Sequence, residues 1–365
     1  SENWFRLLSI FKFLKIYPSN MLIKPLLPLA FCLCAALPAL AETPADSAKN
    51  KKPLPEWLPK ISGTLRAKGE YQTRDKEGRF EVRNARVAFD GNVTPIVIYR
   101  AEVDLSDEGR IRMLDAYAGV LPVKGLTLRI GQMRVPFSID AHRSPHKQFF
   151  ANRSFIAKQV GDVRDVGLCA SYTLPITPLT IEGGLFNGSG LTDQKDYWTK
   201  NLNFSAKVQW KPVKMLTLQG SVQKISPTGG TVMLYDGGVS FNHAGVFLEA
   251  EYLRKHYKNN AYHAVNALNT MAAYTLPLRR VFDHLRFLTR FDMMDDHSRG
   301  ALNDEGVLQT DDAARKRLTA GITLGFAKRI AAELRLNYEK YFYDKGAAMK
   351  TSERDKVVME MMIHF

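Results

Sequence analysis

The chain has 365 residues, of which 45% are hydrophobic, and its 51 Lys and Arg against 37 Asp and Glu give a formal net charge of +14 at pH 7. A positive charge of this size favours an anionic partner, which is nucleic acid, a lipid headgroup or a small anion. The three cysteines are too few for a disulfide framework or a cysteine zinc site.

The N-terminal segment has the layout of a secretory leader. Lys24 precedes an apolar run that ends in Ala39-Leu40-Ala41, which is typical of a signal peptide with a small-x-small cleavage site. We therefore expect an upstream extension at 1–20, a signal peptide at 21–41 and a Pro- and Lys-rich periplasmic linker at 42–60. Export argues against nucleic acid as the partner. Cleavage after Ala41 leaves Cys169 as a lone thiol, which makes no internal disulfide.

From residue 61 onward, apolar and polar residues alternate with the period of two that is typical of strands. No stretch after the leader approaches the roughly 20 apolar residues that a membrane helix needs. The alternation instead predicts sixteen strands, at 61–73, 80–91, 96–106, 111–121, 126–134, 164–174, 179–187, 200–210, 215–225, 231–241, 245–256, 263–275, 284–294, 317–326, 330–342 and 357–365. In the fourth strand it assigns Leu114, Ala116, Ala118 and Val120 to one outward face.

Sixteen is an even number, and the strands have the length that a tilted membrane strand requires. The sequence therefore predicts an all-β fold, a 16-stranded antiparallel transmembrane β-barrel over residues 61–365. Connection lengths support this prediction, because the long connections, at 135–163, 188–199, 257–262, 295–316 and 343–355, alternate in position with short ones. Short periplasmic turns and long outer loops are typical of outer-membrane barrels.

The chain ends on an alternating segment that resembles the closing strand of a bacterial outer-membrane barrel. We expect Met359, Met361, Ile363 and Phe365 to face lipid beside the first strand, and Glu360 and His364 to face the channel. The resemblance implies that Phe365 belongs to the assembly signal that the insertion machinery reads.

The third outer connection is rich in cations and aromatic residues. We identify Arg134, Arg143, Lys147, Arg153 and Lys158 as candidates for an anion pathway, against only Asp140 and Asp162 nearby. A loop of this length is usually functional. If it folds into the pore, its cations line a constriction in which they attract anions more strongly than on an open surface. The alternative is a loop over the rim with its charges on lipopolysaccharide phosphates.

The polar face of the predicted strands carries both signs of charge. Candidates for an anion pathway along the barrel wall are Arg86, Arg100, Arg129, Lys207, Arg286 and Arg290. Acidic residues such as Glu102, Asp115 and Glu249 share that face. Opposite charges on neighbouring strands often stabilise a wet barrel interior without selecting a solute, so a purely structural role stays open for each wall arginine.

Several stretches resemble a known family. The segments Tyr117-Ala-Gly-Val, Gly131-Gln-Met-Arg-Val-Pro-Phe-Ser and Gly161-Asp-Val-Arg-Asp-Val-Gly-Leu, with FEVRNARVAFDG at 80–91, are similar to the phosphate-selective porin O/P family. This resemblance implies a sixteen-stranded, trimeric porin in the bacterial outer membrane, with an inward-folded third loop and an arginine-lined anion path. The polar face of the strands carries both cations and carboxylates, and in this it departs from the continuous row of arginines that the family resemblance implies.

These observations predict an outer-membrane porin that forms a passive, water-filled channel for small anions, with phosphate as the leading candidate. The alternatives are a general or non-phosphate porin and, from another class, a barrel enzyme. An enzyme is disfavoured because His142 and Ser144 lack an evident carboxylate partner. We expect no cofactor and no metal. The expected partners are small anions, outer-membrane lipid and lipopolysaccharide, the barrel-assembly machinery and two further copies of the chain, and not nucleic acid.

Overall fold

The computed structural model describes residues 57–365 except 108, 160–163, 192–193, 227–230, 259–262, 280, 303–307, 327–330 and 344–350. The predicted extension at 1–20, the signal peptide at 21–41 and all but the last four residues of the linker at 42–60 lie outside the described residues. Among the residues that are described, no helix is both long and apolar enough to cross a membrane.

The alternating segments form strands that close into one antiparallel barrel, and each barrel strand begins and ends within three residues of a predicted strand. In chain order the barrel strands are β1 (Lys60–Gln72), β2 (Gly78–Thr94), β3 (Val97–Asp107), β4 (Arg110–Val120), β5 (Leu126–Arg134), β6 (Arg164–Thr173), β7 (Leu179–Phe186), β8 (Asn203–Val213), β9 (Leu216–Ile225), β10 (Val232–His243), β11 (Val246–Tyr257), β12 (Val265–Pro277) and β13 (His284–Met294). They continue, after a separate hairpin, with β16 (Arg315–Gly325), β17 (Ala331–Tyr343) and β18 (Lys356–His364).

The hairpin consists of β14 (His297–Leu302) and β15 (Leu308–Asp312), which pair only with each other. It lies within the outer connection at 295–316, where the sequence predicted a long loop and no strand. The predicted 16-stranded barrel is confirmed, and the hairpin is an addition to it.

Pairing of the first and last strands closes the barrel. Leu65 pairs with Ile363 and Ala67 with Met361, as the predicted lipid-facing sides require. Glu360 lies on the other side of β18, is fully buried, and accepts hydrogen bonds from Arg66. At the end of the chain, the Gly63 and Phe365 backbones exchange two hydrogen bonds, and the Phe365 ring lies where a Cβ at Gly63 would stand.

One predicted face is wrong. Leu114 was assigned to the lipid side of β4, but it is 3% exposed, whereas Met113 is 52% exposed. The cause is a bulge in the β3–β4 pair, where Glu102 faces Asp115 and Val103 faces Met113, so that Leu114 is passed over. The Gln132 side-chain amide donates to the carbonyl oxygens of Met113 and Leu114 and so satisfies the backbone at the bulge.

We call the third outer connection, residues 135–163, the inner loop, and its described residues, 135–159, lie in the interior of the barrel. Its described part contains a short 3₁₀ turn (Pro145–Lys147) and a helix, α1 (Phe155–Gln159). Phe137, Phe155 and Ile156 are buried and pack in one cluster with inward-facing side chains of the strands, including Leu234 and Leu253. The cluster removes apolar surface of the loop from water and so stabilises the folded loop within the barrel.

Candidate functional site

The inner loop covers an acidic part of the barrel wall. Glu251 on β11 accepts hydrogen bonds from the Ser138 hydroxyl and the Ile139 backbone N–H, both at 2.6 Å, and from the Asp140 N–H at 3.1 Å. Ser138 has a φ of +64°, a left-handed conformation that is uncommon outside glycine. It places these three donors around one carboxylate, which is 1% exposed. The loop therefore removes the Glu251 charge from the water path.

A second carboxylate on β11 is covered by the same loop. The Arg143 guanidinium binds Glu249 through both carboxylate oxygens, at 2.7 and 2.6 Å, and Glu249 is 5% exposed. Arg143 also contacts Asp140 at 3.2 Å, and these carboxylates raise its pKa although burial alone lowers it. Arg143 was predicted as part of the anion path, but in the structure its charge is neutralised by Glu249 and Asp140.

The next predicted cation of the loop, Arg153, has no carboxylate partner within ion-pair distance among the residues that the structure describes. Its guanidinium donates to backbone carbonyls of the loop itself, to Asp140 O at 2.6 Å, Arg143 O at 2.9 Å and Ala141 O at 3.5 Å. Burial lowers the pKa of Arg153 to about 9, the Asp140 carboxylate opposes the shift, and the Arg134 and other guanidinium charges add to it. At neutral pH the group is charged.

The remaining loop candidates differ in surroundings. Arg134, at the end of β5, donates to the carbonyl oxygen of His142 at 2.6 Å and forms no ion pair with any described carboxylate. Lys147 is exposed at the tip of the loop. The side chain of Lys158 and the residue Asp162 lie outside the described part, so their predicted roles are not placed.

The tip of the inner loop reaches the last strand. The rings of His146 and His364 stack with centroids 3.7 Å apart and planes 5° from parallel. His364 also contacts the Thr64 hydroxyl and the Gly63 carbonyl oxygen. Burial, together with the neighbouring His364 and Lys147, lowers the pKa of His146 to about 4.

The predicted wall cations all face the interior, and each lies within ion-pair distance of a carboxylate. The pairs are Arg86–Asp104 (2.8 Å), Arg100–Asp90 (2.6 Å), Arg129–Glu182 (3.5 Å), Lys207–Glu182 (2.6 Å), Arg286–Glu333 (3.6 Å) and Arg290–Asp292 (3.9 Å). Pairing across neighbouring strands was the structural alternative raised by the sequence, and the pairs of Arg86, Arg100 and Lys207 are of this kind. The pairs of Arg129 and Arg286 reach one strand further, and Arg290 and Asp292 lie on the same strand. The field of the wall at long range is therefore weaker than its arginine content suggests.

A water-accessible cavity of about 930 Å³ lies between the inner loop and the β1–β3 wall. Its lining carries eight cationic side chains, Arg66, Lys68, Arg79, Arg83, Arg86, Arg153, Arg317 and Lys356. Three carboxylates line it, Glu70, Glu81 and Asp107. We call this cavity the vestibule. Among the described residues, seven of these eight cations lie within ion-pair distance of a carboxylate, and Arg153 is the exception. The net positive charge that the vestibule offers to an anion is therefore mainly that of Arg153.

Only Arg86 and Arg153 of the predicted site line the vestibule. Arg66, Lys68 and Arg317 lie on the inner face that the alternation identified, so the sequence contained a signal for them. Arg83 is different, because a register shift between Arg66 and Ala67 passes over Arg83 in the β1–β2 ladder and brings it to the same cavity as its neighbour Asn84. An alternating pattern cannot reveal such a shift.

Among the residues that the structure describes, no group of three or more His, Cys, Asp or Glu side chains could hold a metal ion. The lone thiol, Cys169, is buried, and its sulfur lies 3.5 Å from an Arg129 guanidinium nitrogen.

A closed 16-stranded barrel that holds a folded outer loop and a water-filled, charged interior defines the class of outer-membrane porins. Residues 62–236 match the model of the family described as phosphate-selective porin O and P, which confirms the resemblance found in the sequence. No curated protein matches the chain.

Solved porin structures have the same fold at low sequence identity. An anion-selective porin from Comamonas acidovorans is 11% identical, with a TM-score of 0.56 over 84% of this chain and 98% of that one. OmpF of Salmonella typhi is 11% identical, with a TM-score of 0.59 over 85% and 98%. The outer membrane channel DcaP of Acinetobacter baumannii is 15% identical, with a TM-score of 0.54 over 84% and 97%. These likenesses concern the fold.

Proposed function

We propose that the protein is a passive, water-filled channel of the bacterial outer membrane for small anions, with phosphate as the leading candidate. The observation that carries this proposal is the position of the inner loop. It covers Glu249 and Glu251, neither of which lines the vestibule, and it presents Arg153 to the vestibule with no carboxylate within ion-pair distance among the described residues. Because the Coulomb energy falls with distance, carboxylates behind the loop repel an anion in the vestibule less than carboxylates that line it.

Within this channel, Arg153 is the loop residue that contributes most to anion preference. A paired wall arginine acts on a distant ion as a dipole, whose field falls off faster than that of a single charge. Arg153 is bound only by neutral carbonyl groups and keeps its full charge at the vestibule. Arg134 and Lys147 do not line the vestibule, so their part in the anion path stays a prediction, as does that of Lys158.

The proposal is tested by reconstituting the protein in planar bilayers. Reversal potential under a potassium chloride gradient measures the ratio of anion to cation permeability, and addition of phosphate then tests for block of the chloride current. We expect anion selectivity and partial block by phosphate. Cation selectivity would contradict the proposal as a whole.

A second candidate is a porin for small anions in general, without preference for phosphate. The observation in its favour is the pairing of every predicted wall cation with a carboxylate, because compact phosphate binding requires cations that converge without a carboxylate between them. Anion selectivity without phosphate block identifies this candidate.

We further propose that the channel is not an enzyme, that it assembles as a homotrimer, and that Phe365 is read by the barrel-assembly machinery. The trimer is supported by one solved neighbour, OmpT of Vibrio cholerae, which is described as a trimer form. Chemical cross-linking in the native membrane tests the trimer, and the absence of cross-linked dimers and trimers would refute it.

A further inference from the structure

Two outward-facing cations lie at the extracellular ends of β9 and β11, on either side of β10. Lys224 on β9 pairs with Met233 on β10, and on β11 Arg254 pairs with Tyr235. All of these lie on the outward face, because the alternate residues Leu234 and Leu253 are buried in the barrel interior. We call Lys224, Met233, Tyr235 and Arg254 the outer patch.

The outer patch lies at the upper edge of the apolar belt. Tyr235 and Tyr252 are outward-facing and exposed, and they have the position of the aromatic girdle at which a membrane barrel meets the headgroup layer. Arg254 lies eight residues beyond Val246, the first residue of β11. At about 3.3 Å per residue and a strand tilt of about 40°, this is a rise of about 20 Å, close to the height of the apolar band of a barrel, about 25 Å.

The two cations of the outer patch have no carboxylate partner in the described part of the chain. Neither Lys224 nor Arg254 forms an ion pair with a carboxylate among the described residues, and the nearby acids Asp236, Glu249 and Glu251 face inward and are buried. By contrast Lys340, which faces outward at the same end of β17, is bound by Asp355. The outer patch therefore presents two uncompensated cations at headgroup level, flanked by an aromatic side chain.

We propose that the outer patch binds the phosphate group of a glycolipid headgroup in the outer leaflet. Charge complementarity supports this partner, because a phosphate offers several acceptors to a guanidinium and an ammonium group at once. The apolar stems of both side chains and the Tyr235 ring lie over the first part of the acyl chains. The proposal rests on the outer-membrane location and is independent of what the channel conducts.

The test is titration of the purified barrel in detergent with diphosphorylated lipid A, followed by native mass spectrometry. Each headgroup cation contributes about tenfold or less, so Lys224→Gln with Arg254→Gln should weaken binding about 30-fold. The matched control is Lys211→Gln with Lys214→Gln, at the periplasmic ends of β8 and β9, which should bind as the original protein does.

Two results would overturn the proposal. One is equal binding of lipid A by the original protein and the Lys224 and Arg254 variant, and the other is equal binding of lipid A from which both phosphates have been removed. Single-channel conductance of the variant is measured in parallel. Because the outer patch lies outside the water path, conductance should not change, and failure of the channel itself is thereby distinguished from failure of the lipid site.

Discussion

Replacement of Arg153 by Gln should lower the preference of the channel for anions. The side chain lines the vestibule, and its guanidinium is held by three backbone carbonyl groups of the inner loop, with no described carboxylate within ion-pair distance. An ion passing about 5 Å from this charge gains or loses about 0.8 kcal/mol at the dielectric constant of water, and about 3 kcal/mol at an effective value of 20.

The smaller of these energies sets the expected effect. At 0.1 M salt the Debye length is about 10 Å, which reduces 0.8 to about 0.5 kcal/mol. The charge attracts the anion and repels the cation by the same amount, so the ratio of the two permeabilities changes by about 1 kcal/mol, or about fivefold. The assay is the reversal potential in planar bilayers under a chloride gradient, repeated at 1 M salt, where screening should shrink the difference.

Arg153→Lys separates charge from structure. Lysine keeps the charge but cannot reach three carbonyl groups with the planar fork of arginine. If the charge acts on the ions, Arg153→Lys stays close to the original selectivity while Arg153→Gln loses it. Equal losses in both variants would mean that the side chain only shapes the loop. An unchanged permeability ratio in Arg153→Gln would refute the assignment of this residue to the ion path.

Other substitutions probe the covered carboxylates, the chain end and the loop tip. Arg143→Gln leaves Glu249 as an unpaired carboxylate and should reduce anion preference more than Arg153→Gln does. The double variant Arg143→Gln with Glu249→Gln should restore most of the anion preference. A double variant that is no more anion-selective than Arg143→Gln alone would contradict this reasoning. Deletion of Phe365 should lower the yield of folded, heat-modifiable barrel without altering the selectivity of inserted channels, and normal yield would remove Phe365 from the assembly signal. His146 has a pKa of about 4 when its ring is stacked on His364, against 6.5 for a free imidazole. Protonation as the pH falls therefore favours the state in which the loop tip has left His364. Open-channel noise should therefore rise between pH 6.5 and 4 in the original protein and not in His146→Gln, and identical noise in both would refute the docking of this side chain.

The strands could be predicted because each one repeats a simple local rule. Alternation of side chains identifies the two faces of β1 and β18, and the pairing of Ala67 with Met361 follows once both faces are known. The rule fails where the backbone departs from it, at Leu114 in β4 and near Arg83 in β2. A bulge depends on partners in the neighbouring strands, such as Gln132, which no local pattern contains.

The site was less predictable than the fold for a related reason. The composition of the inner loop indicated a cationic segment, but the sequence could not assign partners to its cations. Arg143 meets Glu249 across 106 positions of the chain, and Ser138 meets Glu251 across 113. Arg153 meets only the backbone of its own loop. Which cation keeps its charge is decided by these long-range contacts and not by the spacing of residues.

A wall with both signs of charge is therefore compatible with anion preference. A passing ion is affected by the charges that remain after ion pairs have formed and after the inner loop has covered part of the wall. Ion pairing and covering by the loop act differently on the cations and on the carboxylates of this barrel. Ion pairs on the wall, such as Arg86 with Asp104, cancel both signs together. The inner loop, in contrast, covers Glu251 with backbone and hydroxyl donors, so this carboxylate is kept behind the loop without the use of a cation. Neutral hydrogen-bond partners cancel neither charge, so position decides: Arg153 lines the vestibule and Glu251 does not. The selectivity of this barrel should therefore depend more on the position of the loop than on the number of arginines in the wall.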